Sequence, residues 1–407
     1  MLQITDPRER LLVRLADAGF RVATAWRPRR TRPDARAVRR ILVLRLERIG
    51  DLLMSLPALH AIRVHAPDAE IDLVVGSWNA PLACLIAGVT RVQAMDARWL
   101  SRGRGRGTAF TLARRAWLWR ARRYDVAINF EGDIRSNMLL GLSGARWKAG
   151  FGMAGGGPLL DQVVAFDPRG HVAANGVRLV DAVFGIAPPG AAAVVGAREA
   201  AGRLPRAVIV LPPCALAEAD ALLGIAGATT PARALIGIHV GAGRAIKEWP
   251  VARLAAVAAG LAAEREITIV LTGSDEDRAA ADQLRTALQT PVRVVDLVGR
   301  LDVVGLGAVL TRLALLITPD TGPMHLAGVL GTPLVAIFGP SSPERWGPLS
   351  DMCRVVRVDL PCSPCNRIRT PPARCVGHTP DCLDSILVDD VYRAAGEVLA
   401  EAAQEVR

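Results

Sequence analysis

The sequence predicts an α/β protein with two domains, each built around a parallel sheet. With 407 residues the chain is too long for one ordinary core, and at about 150 residues per domain we expect two. Short apolar runs alternate with helix-length segments in two separate stretches, which is typical of βαβ units with right-handed crossovers. The alternation weakens from residue 150 to about 230, where Gly and Pro accumulate. We therefore place the domain boundary between about 190 and 232.

The first alternating stretch follows a basic extension, residues 1–40, which is expected to form a helix and an Arg- and Pro-rich linker. The N-terminal domain is predicted over 41–200. Its predicted strands cover 41–46, 71–75, 91–95 and 125–130. Its predicted helices cover 52–63, 79–87, 108–122 and 133–142.

The second alternating stretch follows an expected hinge region at 201–232 and predicts a C-terminal domain over 233–387, with a Cys-rich loop at 353–382. Its predicted strands cover 234–240, 267–273, 313–318 and 333–339. Its predicted helices cover 250–263, 276–288, 303–312 and 323–330. A C-terminal helix within 388–407 is expected to cross back and brace the first domain.

The formal net charge of +11 is concentrated in the N-terminal half. Residues 1–40 carry eleven Arg and four acids, and residues 97–123 carry nine Arg and no acid, which leaves −5 for the rest. Interleaved apolar residues favour an anionic inner-membrane surface as partner over nucleic acid, with a solvated Arg-rich surface as the alternative. These apolar residues are Leu11, Leu12, Leu15, Phe20 and Trp26 in the first cluster, and Phe110, Trp117, Leu118 and Trp119 in the second.

Neither a membrane span nor a signal peptide is predicted. No stretch of 18 residues stays convincingly apolar, and residues 1–40 contain charges throughout. We therefore expect a cytoplasmic protein that is peripheral at the inner-membrane face.

One carboxylate is placed where parallel-sheet proteins bind ligands. The strand 41–46 is followed by Gly50, which allows a sharp turn, and by a helix beginning near Leu52. Asp51 thus lies at a helix N-terminus beyond the carboxyl end of a strand, where open α/β sheets form their crevice. It is a candidate catalytic group, and a plain helix cap is the alternative.

Two strand-to-helix junctions in the second half suit phosphate. In HVGAGRAIKEWP, Gly241 and Gly243 allow backbone N–H groups close to a ligand, and Lys247 supplies positive charge, although an ordinary Gly loop would look similar. In TPDTGPMHLAG, a helix start with free N–H groups makes a seat for a diphosphate. The candidate residues there are Asp320, Thr321, Gly322 and His325, of which His325 could also be purely structural.

The segment SDEDR offers a D-x-D pattern at Asp275 and Asp277, which holds a diphosphate-bound metal in some transferases. We prefer helix capping by Ser274 and the acids of the first turn, because no partner ligand for Mg²⁺ is identifiable. Glu276 is the best candidate for hydrogen bonds to ribose hydroxyls.

Together these segments resemble glycosyltransferase family 9, the lipopolysaccharide heptosyltransferases. The likeness is carried, in the family's order and spacing, by LRLERIGDLLMSLPALHAIR, HVGAGRAIKEWP, VLTGSDEDRAAA and TPDTGPMHLAGVLGTPLVAIFGPSSPERW. The resemblance implies a GT-B fold, in which two Rossmann-like domains with parallel sheets face each other across a cleft. It also implies a nucleotide-sugar donor such as ADP-heptose on the C-terminal domain, a lipopolysaccharide or related glycan acceptor on the N-terminal domain, and inversion without a required metal or other cofactor.

Carried over by position, the resemblance makes Asp51 the general base, Lys247 the phosphate-binding lysine, and 320–325 the diphosphate loop. Such a displacement needs a carboxylate to take the acceptor's proton and positive groups to stabilise the leaving diphosphate. Arg63 and Arg135 are candidates for binding acceptor carboxylates or phosphates.

Five of the seven cysteines lie in the last 55 residues. In a cytoplasmic protein, Cys362, Cys365, Cys375 and Cys382 suggest structural zinc before disulfides, with reduced thiols as the alternative. Two other functions stay open: a nucleotide-sugar epimerase of similar fold, and a non-enzymatic basic scaffold that binds membrane or nucleic acid.

Overall fold

The computed structural model describes residues 4, 6–28, 30–97, 99, 108–186, 205–225, 233–288 and 291–405. The chain divides into two compact units, the first comprising residues 1–197 and 204–209 and the second residues 198–203 and 210–407. Each unit contains a six-stranded sheet in which every neighbouring pair of strands is parallel. The prediction of two α/β halves with parallel sheets is confirmed.

The sheet of the first unit has the strand order β3-β2-β1-β4-β5-β6. Its strands are β1 (Arg40–Arg45), β2 (Glu70–Val75), β3 (Arg91–Ala94), β4 (Val126–Asn129), β5 (Trp147–Phe151) and β6 (Gln162–Val164). Its helices are α1 (Pro7–Thr24), α2 (Ile49–Leu53), α3 (Leu56–His65), α4 (Ala80–Ala83), α5 (Ala109–Leu118), α6 (Ile134–Leu142) and α7 (Val172–Phe184). The chain order of the strands reverses between β1 and β4, which makes this pair a topological switch point.

The second sheet repeats this order, as β12-β11-β10-β7-β8-β9. Its strands are β7 (Ala234–His239), β8 (Ile267–Thr272), β9 (Arg293–Asp296), β10 (Leu315–Pro319), β11 (Leu334–Ile337) and β12 (Cys353–Val356). The helices of this unit are α8 (Pro213–Leu223), α9 (Val251–Glu264), α10 (Arg278–Ala287), α11 (Val303–Leu310), α12 (Gly322–Leu330), α13 (Pro343–Trp346), α14 (Asp381–Asp384) and α15 (Val388–Glu405). Its switch point lies between β7 and β10.

The central strands explain why these segments fold as they do. In β1 and β8 nearly every residue is buried, because helices cover both faces of a parallel sheet. Continuous apolar runs are therefore the expected sequence signal. No helix among the described residues has both the length and the apolar character needed to cross a bilayer.

The strands β5, β6, β9 and β12 were not predicted, and three further expectations differ from the structure. The single helix predicted at 52–63 is two helices, α2 and α3, separated at Met54 and Ser55. The region expected as a hinge contains α8, which packs against α11. The last helix, α15, was expected to brace the first domain, but its apolar face joins the core of the second unit beside α9. Its Val391, Ala395 and Val398 are fully buried there, which explains its position.

Candidate active site

Asp51 lies in the first turn of α2, just past the carboxyl end of β1. Its Oδ2 accepts a hydrogen bond from the Arg48 backbone N–H at 3.1 Å, so the carboxylate does cap the helix. Its Oδ1 lies 3.4 Å from Nη2 of Arg45, whose Nε donates to the Asp51 carbonyl at 2.9 Å. The Asp51 side chain is 15% exposed. Capping and Arg45 therefore hold a partly accessible carboxylate at the switch point.

The loop between β1 and Asp51 is fixed from both flanks. On the β4 side, Oε1 of Glu131 accepts hydrogen bonds from the backbone N–H groups of Leu46 and Glu47. On the β2 side, the Glu47 carbonyl accepts hydrogen bonds from Nε1 of Trp78 and Nδ2 of Asn79, both at 2.9 Å. These contacts hold the loop in one conformation.

Glu131 follows β4 and is buried at the switch point. Burial raises its pKa well above the ordinary value, and the neighbouring Glu47, Asp51 and Asp133 raise it further, while Arg45 opposes them. Its Oε2 is buried and finds no hydrogen-bond partner among the residues that the structure describes. A protonated carboxyl group fits this position, because it leaves the Arg45 guanidinium to Asp51.

In the second unit, Lys247 and Asp320 form a close ion pair across the switch point. Lys247 ends a 3₁₀ turn (Ala245–Lys247) after β7, and Asp320 follows β10. The lysine Nζ lies 2.7 Å from Oδ2 of Asp320, and the two side chains are only 15% and 9% exposed. The structure thus brings together two of the predicted donor-site residues, which are 73 positions apart in the sequence.

The N-terminus of α12 lies beside this pair. Thr321 is the N-cap residue, and its side chain makes no capping hydrogen bond. Gly322 opens the helix, Pro323 follows it, and His325 is buried in the first turn. The backbone N–H groups of this turn and the positive end of the helix dipole suit an anion.

Asp277 organises the loop after β7 through close packing. A Cβ atom at Gly241 would collide with the Asp277 carboxylate, so a larger residue there would have to displace the Asp277 side chain. Gly243 has φ +63°, a left-handed conformation that also favours glycine. Burial, and then Asp277, raise the pKa of Glu248, and burial lowers the pKa of His239 to about 4.

The SDEDR segment shows the predicted capping. Ser274 and Asp277 form a capping box, in which the Ser274 N–H and Oγ–H both donate to Asp277 Oδ2 at 2.7 Å. The predicted capping role is therefore observed for Asp277. Glu276 is exposed and lies in the 3₁₀ turn that follows β8, the strand that neighbours β7 in the sheet.

Comparison with known proteins assigns the family. A model of glycosyltransferase family 9 (heptosyltransferase) matches residues 115–374, which is more than half of the chain. The chain belongs to glycosyltransferase family 9. It is therefore a glycosyltransferase of the heptosyltransferase family, and the epimerase and non-enzymatic scaffold alternatives are set aside.

Individual relatives of this family 9 protein are distant in sequence but similar in fold. Lipopolysaccharide heptosyltransferase 2 of Escherichia coli K12 is 27% identical over 326 residues, which cover 78% of this chain and 88% of that protein. The solved structure of E. coli ADP-heptose lipopolysaccharide heptosyltransferase II has a TM-score of 0.69 at 22% identity and covers 89% and 99% of the two chains. The family 9 glycosyltransferase of Veillonella parvula has a TM-score of 0.72 at 22% identity, covering 92% and 100%. The fold is GT-B.

The two candidate acceptor arginines of the family 9 protein lie at opposite ends of the strands of the first sheet, Arg135 at the carboxyl ends and Arg63 at the amino ends. Arg135 is exposed in the first turn of α6, after β4, and its guanidinium lies 5.5 Å from the ring centre of Trp99. Arg63 lies at the other edge, where its guanidinium donates to the carbonyls of Pro67, Ala69 and Gly88. Its position does not support the predicted acceptor role, because the guanidinium group already donates hydrogen bonds to three backbone carbonyls.

The four cysteines of the predicted zinc site lie in one region. Within the described ranges, however, no three Cys, His, Asp or Glu side chains are arranged to hold a metal ion. Cys382 is buried in α14, and burial, followed by the charge of Cys365, raises its pKa to about 11. The described residues therefore give the zinc prediction no geometric support.

Sequence reasoning missed Arg45, Glu131, Trp78 and Asn79. Arg45 is the single charge in the predicted strand 41–46, with a side chain only 5% exposed, and that mismatch was the available signal. Glu131 follows the predicted strand 125–130 directly, as Asp51 follows the loop after β1. Only the strand order β1-β4 shows that the two acids share an edge.

Proposed function

We propose that this protein transfers a heptose-type sugar from ADP-heptose, or a similar nucleotide-sugar, to a lipopolysaccharide core or related glycan acceptor. The proposal is supported by its relatives, which are lipopolysaccharide and lipooligosaccharide heptosyltransferases. The observation that carries it is the pairing of Lys247 and Asp320 beside the start of α12, which suits a nucleoside diphosphate.

In the proposed mechanism, the Asp51 carboxylate takes the proton from the acceptor hydroxyl. The acceptor oxygen forms a bond to the anomeric carbon from the side opposite the diphosphate, the bond to the diphosphate oxygen breaks, and the configuration inverts. Lys247 and the N–H groups at the start of α12 stabilise the negative charge that the diphosphate gains. Because protein cations and N–H groups stabilise the leaving group, the reaction should need neither a divalent metal nor another cofactor.

Donor and acceptor residues are proposed separately. Glu276, Thr321, Gly322 and His325 would complete the donor site with the glycines at 241 and 243, and Arg135 would bind an anionic group of the acceptor. The acceptor would be reached from the cytoplasmic face of the inner membrane, with anionic lipid and not nucleic acid as the partner of the basic residues.

The test is transfer assayed with ADP-heptose and a heptose-deficient core acceptor, followed by NMR of the anomeric configuration. We expect a product of inverted configuration, turnover that survives EDTA, and no change in ADP-heptose incubated alone. A retained configuration, or loss of activity in EDTA with recovery on adding metal, would contradict the mechanism. A panel of ADP-, UDP- and GDP-sugars, compared by thermal shift, would identify the base.

A further inference from the structure

Helix α1 of the N-terminal extension has one face that is covered by the first unit and an opposite, apolar face that is exposed. The covered face includes Val13 and Asp17, both buried. Oδ1 of Asp17 accepts a hydrogen bond from the backbone N–H of Gly156 at 2.7 Å, and a Cβ atom at Gly155 would collide with Val13. These contacts fix the rotation of α1 about its axis.

The opposite face of α1 is apolar and exposed. At about 100° per residue, Leu11, Leu15 and Val22 fall within an arc of about 40°, roughly opposite Val13. Leu12 flanks this arc, and Trp26 follows the end of the helix. These five side chains, which we call the outer face, are 58 to 94% exposed. Phe20, which the sequence grouped with them, is only half-buried and lies on the covered side.

The charges around the outer face are mainly positive. Arg8, Arg14 and Arg21 are exposed along α1, and Arg27 is exposed just after it. A surface that combines large apolar side chains with a border of arginines suits the boundary between anionic headgroups and acyl chains. A uniformly apolar partner would leave these guanidinium groups without counter-charges.

The described part of the second basic cluster also exposes apolar side chains, since Phe110, Trp117 and Leu118 are 53 to 76% exposed, but other members of this cluster have partners within the protein. Arg120 lies over the ring of Trp117 at 3.8 Å, and Arg122 pairs with Glu70 at 2.7 Å. Trp119 is buried and donates to Gln93. Several of its charges and apolar groups are thus used within the protein. Arg98, Arg102, Arg104 and Arg106 lie outside the described residues.

The position of α1 relates the outer face to the acceptor. The helix packs against the 3₁₀ turn Gly157–Leu159, in the loop that follows β5. This loop begins at the carboxyl end of β5. Because the strands are parallel, it lies at the same edge of the sheet as Asp51. A bilayer that contacts α1 would therefore be near the edge that a lipid-linked acceptor must reach.

We propose that the outer face of α1 docks this protein on an anionic bilayer, with Leu11, Leu15, Val22 and Trp26 inserted at the headgroup boundary and the arginines paired with lipid phosphates. The inference rests on the proposed function in one respect only: a lipid-linked acceptor is the reason for this protein to bind a membrane. The covered face of α1 stays packed on the first unit, so the helix keeps its orientation when its outer face inserts into the bilayer.

The experiment is sedimentation of the full chain with vesicles of phosphatidylethanolamine and phosphatidylglycerol, compared with phosphatidylcholine alone. We expect binding to the anionic vesicles that weakens at high salt. The double variant Leu11→Gln/Leu15→Gln should bind at least tenfold more weakly, since two large apolar side chains leave the interface. Leu387→Gln is the matched control, because Leu387 is 60% exposed on the second unit and should not affect binding.

Three results would overturn the inference. They are unchanged vesicle binding by the double variant, equal binding to uncharged vesicles, and a change in oligomeric state of the double variant without lipid, which would assign the outer face to a second copy of the chain. Transfer to a truncated, water-soluble acceptor without vesicles separates the two proposals. The double variant should keep that activity, whereas a wild-type protein that binds vesicles but transfers no sugar would refute only the proposed function.

Discussion

The ammonium group of Lys247 lies 2.7 Å from the carboxylate of Asp320, so the cation proposed to hold the diphosphate already has an anionic partner. A bound diphosphate would bring a second anion to the same cation. Asp320 thus orients Lys247 and at the same time competes with the ligand for it. This relationship gives the two residues opposite effects on ADP affinity.

Lys247→Ala should weaken ADP binding about 10- to 100-fold, because a charge-assisted contact in a half-buried site is lost. Asp320→Asn should leave ADP affinity equal or higher, because a negative charge next to the diphosphate is removed. Isothermal titration with ADP measures both, and Lys247→Arg is the conservative control. Parallel losses in both variants would show that Asp320 binds the nucleotide rather than the lysine.

Asp51→Asn should lower kcat about a thousandfold, because the amide cannot take the acceptor's proton. ADP affinity should stay within twofold, since Asp51 belongs to the other unit. The matched control is Asp68→Asn, which removes an exposed carboxylate of the same unit, 3.7 Å from Arg39. Near-normal turnover of Asp51→Asn would exclude it as the base.

Glu131→Gln should become relatively more stable as the pH rises. The pKa of Glu131 is raised in the folded state, chiefly by burial, so its contribution to stability is fully present below its unfolded pKa and is lost as the pH rises through the folded value. Glutamine keeps an acceptor for Leu46 and Glu47 and cannot ionise. Urea unfolding midpoints over a pH series should therefore diverge from pH 4.5 upwards in favour of the variant. A difference that does not change with pH would show that Glu131 is not held protonated.

Substitutions of Arg63 and Arg135 should have different effects, the first on folding stability and the second on acceptor binding. Arg63→Ala leaves three carbonyls without their donor and should cost about 2 kcal/mol of folding free energy, with the acceptor KM unchanged. Arg135→Ala should raise the acceptor KM about tenfold with little effect on stability. Steady-state kinetics and urea unfolding of both variants test the pair, and the reversed pattern would restore Arg63 as the acceptor residue.

The sequence located the residues that follow strands, because an apolar run, a glycine and a helix start together define the carboxyl edge. Asp51 and Lys247 were found in this way. Strand β5 was missed, because Lys148 interrupts its apolar pattern; this buried lysine pairs with Asp161 at 3.0 Å and donates to the Ala145 carbonyl. A partner 13 positions away cannot be deduced from local pattern.

Contacts that depend on strand order were also beyond the sequence. Arg63 and Arg135 look alike along the chain, and only the fold shows that one lies at the amino edge of the sheet and the other at the carboxyl edge. The same holds for α15, whose apolar stripe is evident in the sequence while the sheet that it covers is not.

The loop that precedes Asp51 is tied on one flank to Glu131 and on the other to Trp78 and Asn79. An acceptor therefore meets a base that is already in place and loses no free energy to ordering this loop. Acceptor analogues that lack the reacting hydroxyl should bind with nearly the heat and entropy change of the true acceptor, and turnover should not slow in viscous solvent on account of this segment. In this enzyme the conformational entropy of the loop before Asp51 is lost when the first unit folds. It is therefore not lost again when a substrate binds.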